Sequence, residues 1–349
     1  MADRGPSRED APASFARPYA AGRIPVWLDC DPGHDDAFAI ILAAYHPRLH
    51  LLGISTVAGN QSVEKVTRNA LDVLHFAGVP GVGVVAGQAG PLMRAAAICP
   101  EIHGETGLDG PHGGPALPHS RRAPLPGKAP VVMAEAISAF LGEHPDAGPV
   151  RLICTGALTN AALLLALYPE LKGGLAITLM GGAIGVGNMG PVTEFNIQVD
   201  PEAAKMVFEA GVPLQMVPIE VTHTALATPE VLGRLLSSHA GISKFKALVG
   251  QLLTFFAATY REVFKFEAAP LHDPCAVALV AAPSIFEVEE MRVDIETISP
   301  LSAGQTVCDV WHQTGRPKNC AVARAMDVDA FWDILIAALD RAEAASPLR

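Results

Sequence analysis

The sequence predicts an α/β protein built on an open, mostly parallel central sheet flanked by helices. Three observations carry that expectation. Short apolar β-like runs alternate with segments of helical period, the pattern of a parallel sheet with helices on both faces. Half of the 349 residues are hydrophobic and only 17% are charged, so a large core can form and global disorder is ruled out. Gly and Pro number 32 and 29, enough for many tight turns between short elements.

The elements follow in chain order. Residues 1–24 mix Arg, Asp, Glu, Pro and Ala with no apolar stretch of signal-peptide length, so they are expected to form a flexible tail. Residues 25–349 are expected to form a single domain. Pro25 to Leu28 reads as a strand, followed by an acidic turn and a helix from Asp36 to Tyr45. Leu51 to Val57 is the second strand, ending at Gly59. Ser62 is the expected N-cap of a helix whose buried face carries Val63, Val66, Ala70, Val73, Leu74 and Ala77, with Gly78 as its stop. Val82 to Val85, Val150 to Cys154, Leu175 to Met180 and Leu214 to Ile219 repeat the strand signal, with helices near 131–142, 158–168 and 201–210. Pro229 to Phe266 reads as two helices, and Asp273-Pro274 as the start of another. Val288 to Ile298 and Val307 to Ala323 look like later strands, and Val328 to Ala344 like the last helix. Residues 87–128 hold many Gly, Pro and His and little periodicity; a long loop of this kind inside a domain is often functional.

Charge and cysteines narrow the function class. Acids outnumber Lys and Arg by 36 to 25, a net charge of −11, which argues against a nucleic-acid or anionic-membrane partner. No run of about 18 uninterrupted apolar residues occurs, so no transmembrane helix is expected. The six cysteines show no CxxC pair or zinc-type spacing, and reduced thiols in a cytoplasmic protein are the simplest reading.

The acids are not evenly spread. Asp29, Asp31, Asp35 and Asp36 fall within eight residues, directly after an apolar strand. The carboxyl ends of strands are where open α/β sheets bind ligands. Four carboxylates there repel one another unless a cation holds them, and carboxylates favour a hard cation such as Ca²⁺ or Mg²⁺. Helix capping accounts for one or two such acids but not for four. Asp273 follows His272 in a Leu-His-Asp-Pro segment. Asn188, Glu194 and Asn196 follow a Gly-rich turn at Met180, and such an array suits several hydroxyls at once. His103 lies in the long loop. Each of these three is weak alone, since Asp-Pro often just starts a helix and Asn is common in turns.

Taken together the motifs resemble the nucleoside hydrolases, the inosine-uridine preferring N-ribohydrolase family. The most specific piece is Asp29-Cys-Asp-Pro-Gly-His-Asp-Asp36. It is joined in order by Val57 to Asn60, Ile102 to Gly110, Thr155 to Asn160, Met180-Gly-Gly, Asn188 to Asn196, and Leu271 to Pro274. The resemblance implies a Rossmann-like fold and one Ca²⁺ held by Asp31, Asp36, the Thr155 backbone carbonyl and Asp273. It implies that Asp35, Asn60, Asn188, Glu194 and Asn196 hold the ribose hydroxyls, with Met180 near the sugar. His103 and His272 would face the nucleobase, and Tyr260 matches a position that accompanies purine-tolerant pockets. A homodimer or homotetramer acting in nucleoside salvage is also implied.

The chemistry is coherent with these residues. Cleaving an N-glycosidic bond builds positive charge on the ribose, which an acidic pocket stabilises. Asp31 is expected to take the proton from a metal-bound water, and His272 to protonate the leaving base. His103 is the second candidate donor. Phe256, Tyr260 and Phe264 recur every four residues and so share a helix face; core packing and base stacking are both open to them. Inosine and uridine are the expected substrates. A metal-dependent phosphohydrolase is one alternative, but no Thr or Val stands two residues after Asp31 and no Lys is evident to cradle a phosphate. A non-catalytic nucleoside or sugar receptor is the other, against which the His272-Asp273 pair argues.

Overall fold

In the computed structural model, which describes residues 18–237 and 241–348, ten strands form two sheets. They are β1 (Ile24–Cys30), β2 (Leu49–Thr56), β3 (Gly83–Ala86), β4 (Val150–Cys154), β5 (Leu175–Met180), β6 (Leu214–Val217), β7 (Phe286–Met291), β8 (Val293–Ile295), β9 (Thr306–Cys308) and β10 (Cys320–Met326). The main sheet has eight strands in the order β3-β2-β1-β4-β5-β6-β10-β7. All its pairings are parallel except β10 with β7. This is the expected fold class.

The helices are α1 (His34–Tyr45), α2 (Val63–Phe76), α3 (Pro100–His103), α4 (Ala129–Glu143), α5 (Thr159–Leu167), α6 (Phe195–Val199), α7 (Pro201–Phe208), α8 (Ile219–Thr222), α9 (Pro229–Leu236), α10 (Lys244–Phe264), α11 (Asp273–Ala281) and α12 (Val328–Ala345). Two apolar cores lie on opposite faces of the sheet, and β1 shows why. Its side chains alternate, sending Val26, Leu28 and Cys30 into a core shared with α1, α2, α11 and α12. Trp27 points the other way, into a core shared with α4, α5 and α7. On α2 the expected face is buried throughout, and Gly78 takes the positive φ of 66° that stops a helix. None of the helices among the described residues is long and apolar enough to cross a membrane.

Strand order reverses between β1 and β4. The chain runs from β1 outward to β2 and β3, then returns to the other side of β1 at β4. A reversal of this kind opens a crevice at the carboxyl ends of the two strands. The acidic cluster follows β1 and Thr155 follows β4, so the topology alone brings them together.

Several boundaries differ from expectation. Helix α1 starts at His34 rather than Asp36, because Gly33 is extended and its amide donates to Asp36 Oδ2 at 2.9 Å. The expected strand Val288 to Ile298 is two strands in two sheets: β7 pairs with β10, while β8 pairs with β9. The expected strand Val307 to Ala323 is β9 and β10 with a loop between them. There Asp309 accepts from the amides of Gln313 and Thr314, and Gly315 (φ 65°) and Pro317 break the extended run. The long loop 87–128 holds the short helix α3. Most of the expected tail, residues 1–17, lies outside the described residues; nearer the sheet, Tyr19 packs edge-on against His50 and Phe140. All six cysteines are unpaired, with Cys30 and Cys154 fully buried.

Candidate active site

The crevice between β1 and β4 is floored by carboxylates. Asp31 lies just past β1, and Asp35 and Asp36 sit in the first turn of α1, where the helix dipole favours negative charge. Asp273 opens α11. Asp31 and Asp36 are fully buried, while Asp35 and Asp273 keep 5% and 3% exposure and line the pocket above them. The floor is rigidly held. Asp31 Oδ2 accepts from the Asn60 amide at 2.8 Å, and Asp36 Oδ1 accepts from Thr155 Oγ1 at 2.8 Å. The Asn60 side chain donates to the Asp31 carbonyl at 3.0 Å and lies 3.3 Å from Asp36 Oδ2. Two glycines grip Asp31 from either side: a Cβ on Gly59 would stand 2.1 Å from Oδ2, and one on Gly156 2.7 Å from Oδ1. Only hydrogen fits at these positions.

The electrostatics of the floor are unfavourable as they stand. Burial, then the Asp36 charge, pushes Asp31 well above the ordinary carboxyl value. Asp273 is raised by burial and then by Asp35, Asp36 and Asp31. Asp35 is pushed up to about 7 by burial and Asp36, and Asp36 to about 6 by burial. One carboxylate oxygen each from Asp35, Asp36 and Asp273 lies within 4.8 Å of the others. Asp31 Oδ1 is buried with no hydrogen-bond partner, an orphan whose desolvation costs about 1–3 kcal/mol or more if left unmet. A hard divalent cation fits the donor chemistry of Asp35, Asp36 and Asp273, which is all carboxylate oxygen; the expected ligand Asp31 stands outside that close triplet and Asp35 stands within it. The Thr155 carbonyl expected in such a shell accepts from Asn196 Nδ2 at 3.0 Å.

Above the floor stand the polar groups expected to meet hydroxyls. Asp35, Asn60, Met180, Asn188, Glu194 and Asn196 all line the same pocket. Glu194 caps α6, accepting from the amides of Asn196, Ile197 and Gly182 at 2.9, 3.2 and 2.8 Å. Burial nevertheless raises its carboxyl to about 7. Asn196 Nδ2 also reaches the Met180 carbonyl at 3.1 Å. Asn188 Oδ1 accepts from the Phe195 amide at 3.0 Å, which leaves its NH₂ group without a protein partner among the described residues.

The far end of the pocket is aromatic. Phe256, Tyr260 and Phe264 of α10 line it, and Phe256 and Tyr260 are also core residues, so packing and lining are one role here. Tyr260 Oη lies 2.6 Å from His272 Nε2, and Thr222 Oγ1 2.7 Å from Nδ1, so both ring nitrogens of His272 are engaged. An imidazole titrating near neutrality was the expectation. Instead burial, then the neighbouring His223, holds His272 well below its usual value, and the resting ring is neutral. His103 lines the same end and stacks on Phe256 at 5.4 Å between centroids.

Eleven of the thirteen side chains singled out from sequence line one pocket, with Asp31 and Asp36 directly beneath. Sequence reasoning passed over His34, Thr222, Gly59 and Gly156. The two glycines stand inside quoted motifs and could have been read as close-approach positions. Thr222 carried no local signal. Asp29, grouped with the cluster by position, is engaged elsewhere: its Oδ1 accepts from Ser55 Oγ and from Asn160 Nδ2 at 2.8 Å.

Comparison with known proteins places this geometry. The sequence pattern of the inosine-uridine preferring nucleoside hydrolases matches residues 26–333. A probable ribonucleoside hydrolase of Dictyostelium discoideum is 45% identical over 323 residues, covering 91% of this chain and 94% of that one. A pyrimidine-specific ribonucleoside hydrolase RihA of Shewanella sp. (strain MR-4) is 44% identical over 317 residues, 90% and 96% of the two chains. Among solved structures, a purine-preferring ribonucleoside hydrolase from Gardnerella vaginalis superposes with a TM-score of 0.80 at 27% identity, over 92% of this chain and 99% of that one.

Proposed function

Because the chain belongs to the inosine-uridine preferring nucleoside hydrolase family, we propose that its pocket binds one Ca²⁺ and one ribonucleoside and assigns each of its side chains a step in hydrolysis. The protein is a ribonucleoside hydrolase, an N-glycosyl hydrolase. The observation that carries the finer reading is the buried carboxylate floor with its unpartnered Asp31 oxygen. Asp31, Asp36, the Thr155 carbonyl and Asp273 would hold the cation; when bound, it offsets their repulsion and makes a bound water more acidic.

Asp31 then accepts the proton of the attacking water, its carboxylate fixed by the Asn60 amide and the two glycines. Asp35 and Asp273 are the floor carboxylates that face the pocket, and Asp35 meets a ribose hydroxyl, together with Asn60, Asn188, Glu194 and Asn196. Met180 packs beside the sugar. These contacts hold C1′ against the water, and the surrounding carboxylates stabilise the positive charge that develops there. His272 and Tyr260 form one hydrogen-bonded unit at the base end. A proton that His272 takes up from solvent as charge develops on the departing base passes to the base through this unit, and the ring ends neutral as it began. His103 offers a second hydrogen bond.

We read both inosine and uridine as substrates, with uridine the better, in line with the pyrimidine-specific relatives at 44% identity. We also read the working state as a cytoplasmic homodimer or homotetramer. Support for subunit contact comes from Ile298, Leu301 and Trp311, which lie near the β8–β9 pair and are 91%, 84% and 81% exposed.

Two outcomes check the site. Exhaustive chelation is expected to abolish ribose release from uridine, and added Ca²⁺ to restore it; activity that persists in chelator removes the cation. Gly156→Ala is expected to lower kcat by about 100-fold, because displacement of a reacting group by about 1 Å costs that much. Steady-state kinetics on uridine measure it, and an unchanged kcat would show that the position of Asp31 does not matter.

A further inference from the structure

Thr306 does not line the pocket, yet it grips the loop that carries several of the pocket's polar groups. That loop leaves β5 at Met180 and returns at Glu194, which caps α6. Thr306 opens β9 in the small sheet, pairs there with Ile295 of β8, and is 1% exposed. Its Oγ1 accepts from the Ala183 amide at 2.9 Å and donates to the Ala183 carbonyl at 2.5 Å. One hydroxyl thus satisfies both backbone groups of a buried residue that lies 123 positions away in sequence.

The grip depends on close approach. Gly182 has a positive φ of 78°, and a Cβ there would stand 2.8 Å from Thr306 Cγ2 and 3.0 Å from Oγ1. Beyond Ala183, Glu220 Oε1 accepts from the next two amides, those of Ile184 and Gly185, both at 2.8 Å. The residue before Ala183 is the one that meets the pocket. The Gly182 amide donates to Glu194 Oε2 at 2.8 Å, and the Ile197 amide donates to the same oxygen at 3.2 Å. These two donors fill the acceptor directions of Oε2, so a ligand hydroxyl is left to Oε1, which accepts from the Asn196 amide at 2.9 Å. Asn196 and Ile197 both belong to α6, whereas Gly182 comes from the strand-end side. A carboxylate held only by its own helix cap is free to pivot; the Gly182 amide stops that.

We propose that Thr306 is a positioning residue: its hydroxyl fixes Ala183, and with it the Gly182 amide that aims the Glu194 carboxylate at a ribose hydroxyl. The small β8–β9 sheet thereby takes part in sugar recognition without touching the sugar. This assignment rests on the ribonucleoside reading, and the test separates the two. Thr306→Val keeps the side-chain shape and removes the hydroxyl. Its Gly182 and Ala183 amides are expected to exchange hydrogen at least about tenfold faster than in the wild type, with α1 unchanged, since local protection follows local hydrogen bonds. Thr306→Ser, which keeps the hydroxyl, is expected to restore most of that protection. Unchanged exchange in Thr306→Val overturns the proposal, whatever the enzyme cleaves.

Kinetics supply the second arm. In Thr306→Val, kcat/KM on uridine is expected to fall about tenfold, the worth of a weakened hydrogen bond to a charged group. Nitrophenyl riboside, which carries the same sugar, is expected to lose the same factor, and Thr306→Ser to recover most of both rates. The series 2′-, 3′- and 5′-deoxyuridine then separates aim from general support. On the member that lacks the hydroxyl met by Glu194, the loss is expected to shrink to less than about twofold, because a positioning effect vanishes with its target. Equal losses on uridine and all three deoxyuridines mark a general structural role and overturn the proposal, as does an unchanged rate on uridine. If the wild-type chain releases no ribose from uridine, the hydrolase reading falls, and exchange at Gly182 still decides whether Thr306 holds the amide that meets Glu194.

Discussion

Asp31→Ala is expected to abolish turnover on every nucleoside, lowering kcat by at least about 1,000-fold, since a positioned general base contributes on that order. No other carboxylate can replace it. Asp36 is committed to the Thr155 hydroxyl and the Gly33 amide, and Asp35 and Asp273 stand on the pocket side. Asp31 combines an Oδ2 fixed by the Asn60 amide with an unpartnered Oδ1; Asp29 also has one unpartnered oxygen, but its other oxygen is tied to Ser55 and Asn160. The companion variant Asp31→Asn separates chemistry from folding. Its side chain has nearly the same volume, so the contacts with Gly59 and Gly156 survive. A carboxyl raised by burial and by a neighbouring charge destabilises the fold when ionised at neutral pH, and the amide removes that cost. Asp31→Asn is therefore expected to melt in chelator at or above the wild-type temperature while remaining inactive. A variant that melts normally and turns over at a near-normal rate removes Asp31 as the base.

His272→Ala is expected to slow inosine and uridine by about 100-fold, the lower range for a general acid. Cleavage of nitrophenyl riboside is expected to fall by far less, since nitrophenolate leaves without a proton. The contrast follows from placement: the His272 ring touches Tyr260 and Thr222, and only the backbone of His272, which the substitution keeps, hydrogen-bonds to the floor carboxylate Asp35. Removing it also leaves Tyr260 Oη and Thr222 Oγ1 without this partner, so Tyr260→Phe is expected to show the same substrate contrast at smaller size. Parallel kinetics on the two substrate types give the answer. Equal losses on both would mean that His272 supports the pocket and not the departing base.

The carboxylate floor was legible because most of it is local. Asp31, Asp35 and Asp36 lie within six residues at a strand-to-helix turn, and a short apolar run followed by a helical period locates that turn. What joins the floor to distant partners was not legible from physics alone. Asn160 reaches Asp29 across 131 residues, and His103 reaches His34 across 69. Asp29 and Asp31 share a motif, yet Ser55 and Asn160 engage one and Asn60 holds the other. Only the pairing of β1 with β2 and β4 makes that division. The family resemblance supplied the long-range part, since it orders motifs that share no local period.

The C-terminal strands failed for a different reason. β8 and β9 are three residues each, too short for alternation to register, and β7 runs into β8 with only Arg292 between them while changing sheets. His272 was misjudged in charge rather than place: its neutrality depends on burial beneath α10 and beside His223, neither visible from its neighbours in sequence.

The most direct measurement is the release of free ribose and free base from uridine and from 2′-deoxyuridine, in phosphate-free buffer with Ca²⁺. Equimolar ribose and uracil from uridine are expected, with the deoxy substrate at least about 100-fold slower, because a polar contact realised in the transition state is worth several kcal/mol. Release of no ribose, or equal rates on the two substrates, would contradict a pocket that hydrolyses nucleosides by gripping the ribose hydroxyls over a carboxylate floor.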